Sequence, residues 1–311
     1  MNVHELPMIL FTVLSQMSVG AFVILGLVQV LGRRKYSNTT IDRLADPALL
    51  AIGPALVLGL LASMLHMNDV TNTFNVIRNV GSSWLSREII FGIAFAGLGF
   101  LFALLQWRKL GSPALRQVLA GVTALVGLGL VWSQAMIYYS LVTVPAWNSW
   151  VTIAQFFLTT VLLGALAVGA AFMTWIMWRS RRDDGELAGS ERLELVALTE
   201  DSLKLVSVIA IVAGSLVLII VPLHLSDLAT LGAVGAQSAA AFSGAWFVTR
   251  LVLLALGTAL LALFMYYYAS NAQRLGPRPL AIVATLAFVI VLGSELIGRS
   301  MFYDSMTRVG M

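Results

Sequence analysis

The feature that most constrains this fold is a series of eight apolar segments, each long enough to cross a membrane. A spanning helix needs roughly 20 mainly apolar residues. The segments fall at about 8–32, 47–67, 89–107, 117–139, 150–178, 203–225, 245–268 and 279–298. Barrel strands would be shorter and would alternate in polarity. We therefore expect an all-α integral membrane protein with eight transmembrane helices, forming one polytopic membrane domain over 1–311.

The composition excludes a soluble globular domain and one class of redox cofactor. Hydrophobic residues make up 59% of the chain and charged residues 11%, and the mean hydropathy is +0.91. The first apolar segment is too long for the core of a signal peptide, so we expect it to be the first spanning helix. There is no cysteine, which rules out a thiolate-bound iron–sulfur cluster on this chain.

The basic residues are distributed unevenly between the two sides of the predicted bundle. Fourteen of the nineteen follow odd-numbered segments: Arg33, Arg34, Lys35, Arg43, Arg108, Lys109, Arg116, Arg179, Arg181, Arg182, Arg192, Lys204, Arg274 and Arg278. Cytoplasmic loops carry such an excess, so we place these connections in the cytoplasm. Both termini and the loops 68–88, 139–149 and 224–244 then face outward. The net charge of +4 orients the protein and does not indicate nucleic-acid binding.

The longest predicted cytoplasmic connection, 179–204, is highly charged and divides the chain into two halves of four helices. Its composition favours a solvated linker that contains a short surface helix. The alternative is a docking platform for a cytoplasmic partner.

Five ionisable residues lie at the ends of apolar segments: His66, Glu88, Arg250, Glu295 and Arg299. Counting membrane crossings puts all five on the outer side. Ionisable groups at this depth are costly and therefore mark functional sites by default. We interpret the cluster as a place where a small lipid-soluble molecule gains or loses protons.

His66 and Glu88 end and begin consecutive segments and should lie at similar depth. A histidine can transfer a proton near neutral pH, or it can cap the end of its own helix. Ser86 resembles an N-cap, and a carboxylate in a first helical turn is stabilised by the helix dipole. The functional alternative for Glu88 is a proton acceptor. The two roles of Glu88, a carboxylate stabilised by the helix dipole and a proton acceptor, are compatible.

The remaining ionisable residues have simpler explanations. Glu295 and Arg299 are four residues apart, so they could form an ion pair on one helix face. Arg250 could extend toward the outer surface or neutralise one of the carboxylates. His224 is interpreted as an interfacial residue rather than a ligand. A haem held between His66 and His224 is conceivable, although four-helix cytochromes usually carry more intramembrane histidines.

Three separated motifs resemble one known family. They are HELPMILFTVLSQMSVGAF at the start, ASMLHMNDVTNTFNVIRNVGSSWLSREI in the first outer loop, and SELIGRSMFYDSMTRVGM at the end. In this order, and with eight segments, the chain resembles the membrane-anchor subunits of the bacterial dimethyl sulfoxide reductase family. The resemblance covers nearly the whole length, but the long charged connection 179–204 departs from it.

The resemblance implies a quinol-oxidising subunit of the bacterial inner membrane, used in anaerobic respiration. Such a subunit holds menaquinol near the outer face and has no haem or iron–sulfur cluster. It passes electrons to an iron–sulfur subunit, which feeds a molybdopterin catalytic subunit.

The family's histidine and glutamate for quinol oxidation match His66 and Glu88. Arg250, Glu295 and Arg299 match other family positions, and we expect Phe74 and Trp84 to line the ring pocket. The alternative functions are a proton-coupled transporter and a structural anchor whose quinol site has decayed.

Overall fold

A computed structural model describes residues 5–65, 78–180, 189–270 and 277–309. Within these ranges the chain forms ten α-helices and one π-helical segment. They are α1 (Leu6–Gly32), α2 (Asn38–Leu65), α3 (Trp84–Arg108), α4 (Pro113–Tyr139), α5 (Trp150–Ser180), α6 (Gly189–Ala229), α7 (Gly232–Ala240), α8 (Gly244–Ala255), the π segment (Leu256–Leu261), α9 (Ala262–Ser270) and α10 (Pro277–Asp304). His66 and Phe74 lie outside the described residues.

Eight helical spans are long and apolar enough to cross a membrane, which confirms the predicted class. The seventh span consists of α8, the π segment and α9. Three helices begin five or more residues earlier than predicted. The second starts at Asn38 instead of about 47. The third starts at Trp84 instead of about 89, and the sixth starts at Gly189 instead of about 203.

Helices α1 and α5 form the centre of the bundle and are its most buried spans. They cross at Gly20 and Gly164, and each of these glycines faces the backbone of the other helix. A Cβ added to Gly20 would lie 2.8 Å from the carbonyl carbon of Thr160, and one added to Gly164 would lie 2.6 Å from the amide nitrogen of Ala21. Small residues at such crossings let helices pack by direct van der Waals contact. Because α1 also packs on α2 and α4, and α5 on α6 and α10, the two four-helix halves form one bundle.

One end of the bundle carries the predicted cytoplasmic loops and is held together by ion pairs. It is called the opposite end here, because the candidate site lies at the other end. Arg116 donates two hydrogen bonds to Asp42, from Nε at 3.0 Å and from Nη2 at 2.7 Å, and both side chains are buried. Lys109 contacts the same carboxylate at 3.5 Å. These bonds join α2 to α3 and α4 at their shared end.

The connection predicted as a solvated linker with a short surface helix is helical over its described residues. α5 continues to Ser180 and α6 begins at Gly189. At 41 residues, α6 is about 60 Å long, twice the roughly 30 Å hydrocarbon core. Its charged first part packs on the loop between α1 and α2, where Asp201 accepts hydrogen bonds from Lys35 and Tyr36, both at 2.7 Å. The helix expected in this connection is the first part of α6, and it packs on the protein because one of its faces is apolar and includes the buried Leu195 and Leu198.

The other end of the bundle, here called the site end, is where α1 begins and α10 ends. The hydroxyls of Tyr138 and Tyr303 are 3.0 Å apart, joining the end of α4 to the end of α10. The indole of Trp147 donates to the carbonyl of Phe302 at 2.8 Å and stacks on its ring at 5.4 Å between centroids. This aromatic group fixes the helix ends around the predicted site residues.

Candidate functional site

Glu88 is a buried carboxylate one turn inside α3. The helix is capped by Ser83, whose side chain accepts a hydrogen bond from the amide of Ser86 at 3.3 Å. The expectation that Ser86 caps this helix was therefore wrong, because Ser86 is itself buried within it. Glu88 lies beyond the first turn, where the stabilising effect of the helix end falls off. Since its side chain is 8% exposed, it depends on partners from other helices.

These partners begin with an amide from α4. The side chain of Gln134 lies within hydrogen-bonding reach of Glu88. The amide nitrogen of Gln134 donates to Ser15 at 3.0 Å, and its oxygen accepts from Gln16 at 3.5 Å. Glu88 is thereby connected to two polar residues of the central helix α1.

The hydrogen-bond network extends to Arg299 on α10. Its guanidinium donates to the side-chain oxygen of Gln16 at 2.8 Å and lies 3.8 Å from the ring centroid of Phe156. A cation over an aromatic face is stabilised by the ring quadrupole, more strongly where water is excluded. Arg299, which is 6% exposed, is thus held without a carboxylate. Four helices contribute to the route from Glu88 to Arg299.

The ion pair considered between Glu295 and Arg299 is not formed. In the described part of the protein, no nitrogen–oxygen distance within 4.0 Å joins Glu295 to Arg299 or to Arg250. Glu295 instead accepts a hydrogen bond from Thr159 on α5 at 2.6 Å. The helical spacing was compatible with pairing, but Arg299 is bonded to Gln16 on α1, whereas Glu295 is bonded to Thr159 on α5.

Arg250 is buried and does not extend to the surface, contrary to one of the two roles considered for it. Its guanidinium packs against α10 at Gly298, where an added Cβ would lie 2.5 Å from Nε and 2.6 Å from Cζ. Arg250 is 3% exposed, and it interacts electrostatically with Glu295. The other considered role, partial neutralisation of a carboxylate, fits this position.

His224 is also buried within the protein rather than exposed at its surface. The ring is 5% exposed and packs edge-on against Phe242 at 5.7 Å between centroids. Phe242 follows α7, and this segment packs against α6. An apolar segment that folds over the histidine could not be recognised from residue types alone.

Trp84 is the one predicted ring-pocket residue within the described ranges. It opens α3 and is half-buried. The guanidinium of Arg87 lies 4.1 Å from its ring centroid and donates to the carbonyls of Val80 and Gly81. Arg87 thus fixes the indole at the entrance to α3.

Several residues of the site were absent from the sequence-based prediction. They are Gln16, Gln134, Thr159, Phe156, Tyr138 and Tyr303. A signal for two of them was available, because Gln16 and Gln134 are amides inside long apolar segments. A polar group at such a position costs free energy unless it forms hydrogen bonds within the protein.

Eight spanning helices with a buried polar site at one end define a multi-pass membrane protein whose site is assembled from several helices. Residues 1–304 match the family model described as DMSO reductase anchor subunit (DmsC). The protein belongs to this family, which makes it a multi-pass protein of the bacterial inner membrane and a subunit of an oxidoreductase complex.

Three curated relatives support the same assignment. The protein is 31% identical to the C subunit of anaerobic dimethyl sulfoxide reductase from Escherichia coli (strain K12) over 310 residues, covering 99% of its own length and 97% of the relative. It is 27% identical to the anaerobic dimethyl sulfoxide reductase subunit YnfH from the same organism, again over 99% and 97%. The C subunit of the Haemophilus influenzae reductase is 31% identical over 172 residues, covering 55% of this protein and 60% of the relative. Membership implies catalytic and iron–sulfur partner subunits.

Proposed function

We propose that this protein binds menaquinol at the site end, oxidises it, and passes the electrons to an iron–sulfur partner subunit. That subunit would feed a molybdopterin catalytic subunit in anaerobic respiration. We further propose that the site end faces outward and carries the partners. The distribution of basic residues supports this orientation, since Arg33, Arg43, Lys109 and Arg116 all belong to the opposite end.

The observation that carries the proposal is the buried carboxylate of Glu88 beside Gln134. Oxidation of a quinol to a quinone releases two electrons and two protons. A positioned acceptor within hydrogen-bond reach of a quinol hydroxyl can remove its proton as the electrons leave. Glu88 accepts one proton and His66, at the end of the preceding span, accepts the other. The two electrons reduce the partner's iron–sulfur centres.

The surrounding residues hold the quinol and balance charge. Arg299, fixed by Gln16 and Phe156, supplies positive charge on the α10 side of the site. Arg250 and Glu295 complete this charge balance from α8 and α10. Trp84 and Phe74 line the pocket for the quinol ring.

A substitution at Glu88 tests the proposal in the assembled complex. Glu88→Gln keeps the shape and hydrogen-bonding capacity of the side chain but removes the proton acceptor. We expect turnover with a reduced naphthoquinol to fall by about 100-fold or more, the range of general-base contributions. Turnover with reduced viologen, which delivers electrons without a quinol site, should remain unchanged.

Glu191→Gln is the matched control, because Glu191 pairs with Arg43 at the exposed opposite end. It should leave both activities unchanged. Glu88→Asp should recover part of the quinol-linked turnover. Unaltered naphthoquinol oxidation by Glu88→Gln, with the complex intact, would refute the assignment.

A proton-coupled transporter was the alternative from a different functional class. Family membership favours the anchor subunit. The ionisable groups also support it, because Glu88, Arg250 and Arg299 all lie within seven residues of a helix end on the same side.

A further inference from the structure

A second group of buried polar residues lies beside the quinol site, and several of its atoms lack hydrogen-bond partners. They are Nδ1 of His224, Nε of Arg250, Oε1 of Glu295 and Oγ of Ser238. All four side chains are at most 5% exposed. They come from four elements that meet at the site end: α6, α7, α8 and α10.

Three of these residues are near neighbours. Arg250 interacts electrostatically with both His224 and Glu295. The other charged groups around them are Asp227, on the same helix as His224, and Arg299, one turn beyond Glu295. α5 contributes Thr159, which occupies the second carboxylate oxygen of Glu295 at 2.6 Å. The other oxygen of Glu295, Oε1, has no hydrogen-bond partner.

Unpaired polar atoms in a protein interior are normally satisfied by ordered water, which bonds to two to four groups at once. A histidine nitrogen and a carboxylate oxygen can accept hydrogen bonds from such water, and a guanidinium can donate to it. The mixed donors and acceptors around Arg250 fit water better than an anion, because Glu295 would repel an anion. Water beside a carboxylate can also carry protons.

We propose that His224, Arg250 and Glu295 enclose a buried water cluster through which protons from quinol oxidation leave the site. This inference rests on the proposed function. Arg299 lies next to both groups, since it is bonded to the Glu88 side through Gln16 and interacts electrostatically with Glu295. Glu295 receives protons on the side nearer to Arg299. His224, which packs against Phe242, delivers them toward the protein surface. Arg250 is a positioning residue that orients the water.

The test uses Glu295→Gln in the full complex. The variant keeps an oxygen for the Thr159 hydroxyl but cannot hold a transferable proton. We expect naphthoquinol turnover to fall roughly 10-fold or more, with KM unchanged within a factor of about two. Small permeant weak acids, formate and hydrazoic acid, should restore much of the lost turnover by carrying protons in place of the side chain.

Ser294→Ala is the matched control. It is the adjacent buried residue and donates to the Arg250 carbonyl at 3.0 Å, but it carries no transferable charge. A structural defect would make both variants slow and neither responsive to weak acids. Wild-type turnover of Glu295→Gln, or a loss that formate does not relieve, would overturn the proton route.

Glu88→Gln in the same preparations separates the two proposals. If Glu88→Gln is inactive while Glu295→Gln turns over normally, only the proton route fails. If both variants keep wild-type quinol turnover, the proposed function fails as well.

Discussion

The crossing of α1 and α5 gives a prediction whose magnitude follows directly from the structure. Gly20→Ala places a Cβ 2.8 Å from the carbonyl carbon of Thr160 and closer still to its oxygen. Both obstructing atoms are backbone, so no side-chain rotation can relieve the overlap. The helices must separate by on the order of 1 Å, an overpacking distortion that costs about 3 kcal/mol at the upper end of the usual range.

The displacement would also affect the site. Gln16 lies four residues before Gly20 and accepts the 2.8 Å hydrogen bond from Arg299. Lengthening this bond by on the order of 1 Å would break it, and a hydrogen bond to a charged group contributes about 1.5–3 kcal/mol. We therefore expect Gly20→Ala to lower the free energy of unfolding by about 4.5–6 kcal/mol.

The absence of cysteine allows a clean assay. A single thiol introduced by Ala287→Cys, at a buried position on α10, reacts with a labelling reagent only when the bundle opens. The labelling rate in mild denaturant reports the free energy of opening. Gly26→Ala is the control on the same helix, because an added Cβ there meets nothing within 4 Å. Equal protection of the thiol in the Gly20→Ala and Gly26→Ala variants would show that the crossing is not close-packed.

Two further perturbations concern the opposite end. Asp42→Asn weakens the pairing of the buried Arg116, and we expect it to lower the free energy of unfolding by about 3 kcal/mol. In the same thiol assay, a loss no larger than that from Asp201→Asn would contradict this. The hydrogen bond to Asp201 raises the pKa of Lys35, and partial burial raises the pKa of Tyr36. A raised pKa gives stability that is complete below the ordinary value and lost as pH rises through the folded one. On the alkaline side, docking of 189–201 should therefore weaken above about pH 10, as measured by amide hydrogen exchange, and loosening near neutral pH would contradict it.

The helix count could be predicted because length and apolarity decide it locally. The positions of the helix ends depended on capping residues and on apolar residues that recur along one helix face. α3 begins at Trp84 because Ser83 caps it, although the polar turn through Arg87 looked like loop. α6 reaches back to Gly189 because Leu195, Leu198 and Leu203 keep one buried face across a charged stretch. The prediction used the average polarity of this stretch, which does not reveal apolar residues that recur along one helix face.

The predicted site was limited by what single positions can reveal. Arg250, Glu295 and Arg299 were identified by their charge, and the structure places all three in the buried interior at the site end. Their partners could not be derived in the same way. Gln16 and Gln134 are 118 positions apart, and their contact depends on the order of helices around the bundle. The proposed roles of His66 and Phe74 remain predictions from sequence.

The two ends of the bundle differ in how completely their buried charges are paired, and this difference favours a functional role for the site end. At the opposite end, Arg116 and Asp42 form a bidentate pair. The unpartnered atoms there belong to neutral amides already bonded through their other atom, Gln106 and Gln117, and to the half-buried Glu200. Among the described residues of the site end they belong to Ser238 and to three fully buried titratable groups, Arg250, Glu295 and His224.

A purely structural cluster would gain stability by completing these bonds within the protein. The protein has the means to do so, because Glu295 and Arg299 share a helix at pairing distance in sequence. Their side chains nevertheless diverge to Thr159 and Gln16. Incomplete pairing of titratable groups keeps bonding capacity free for water or substrate, which a proton-releasing site requires and a structural ion pair does not.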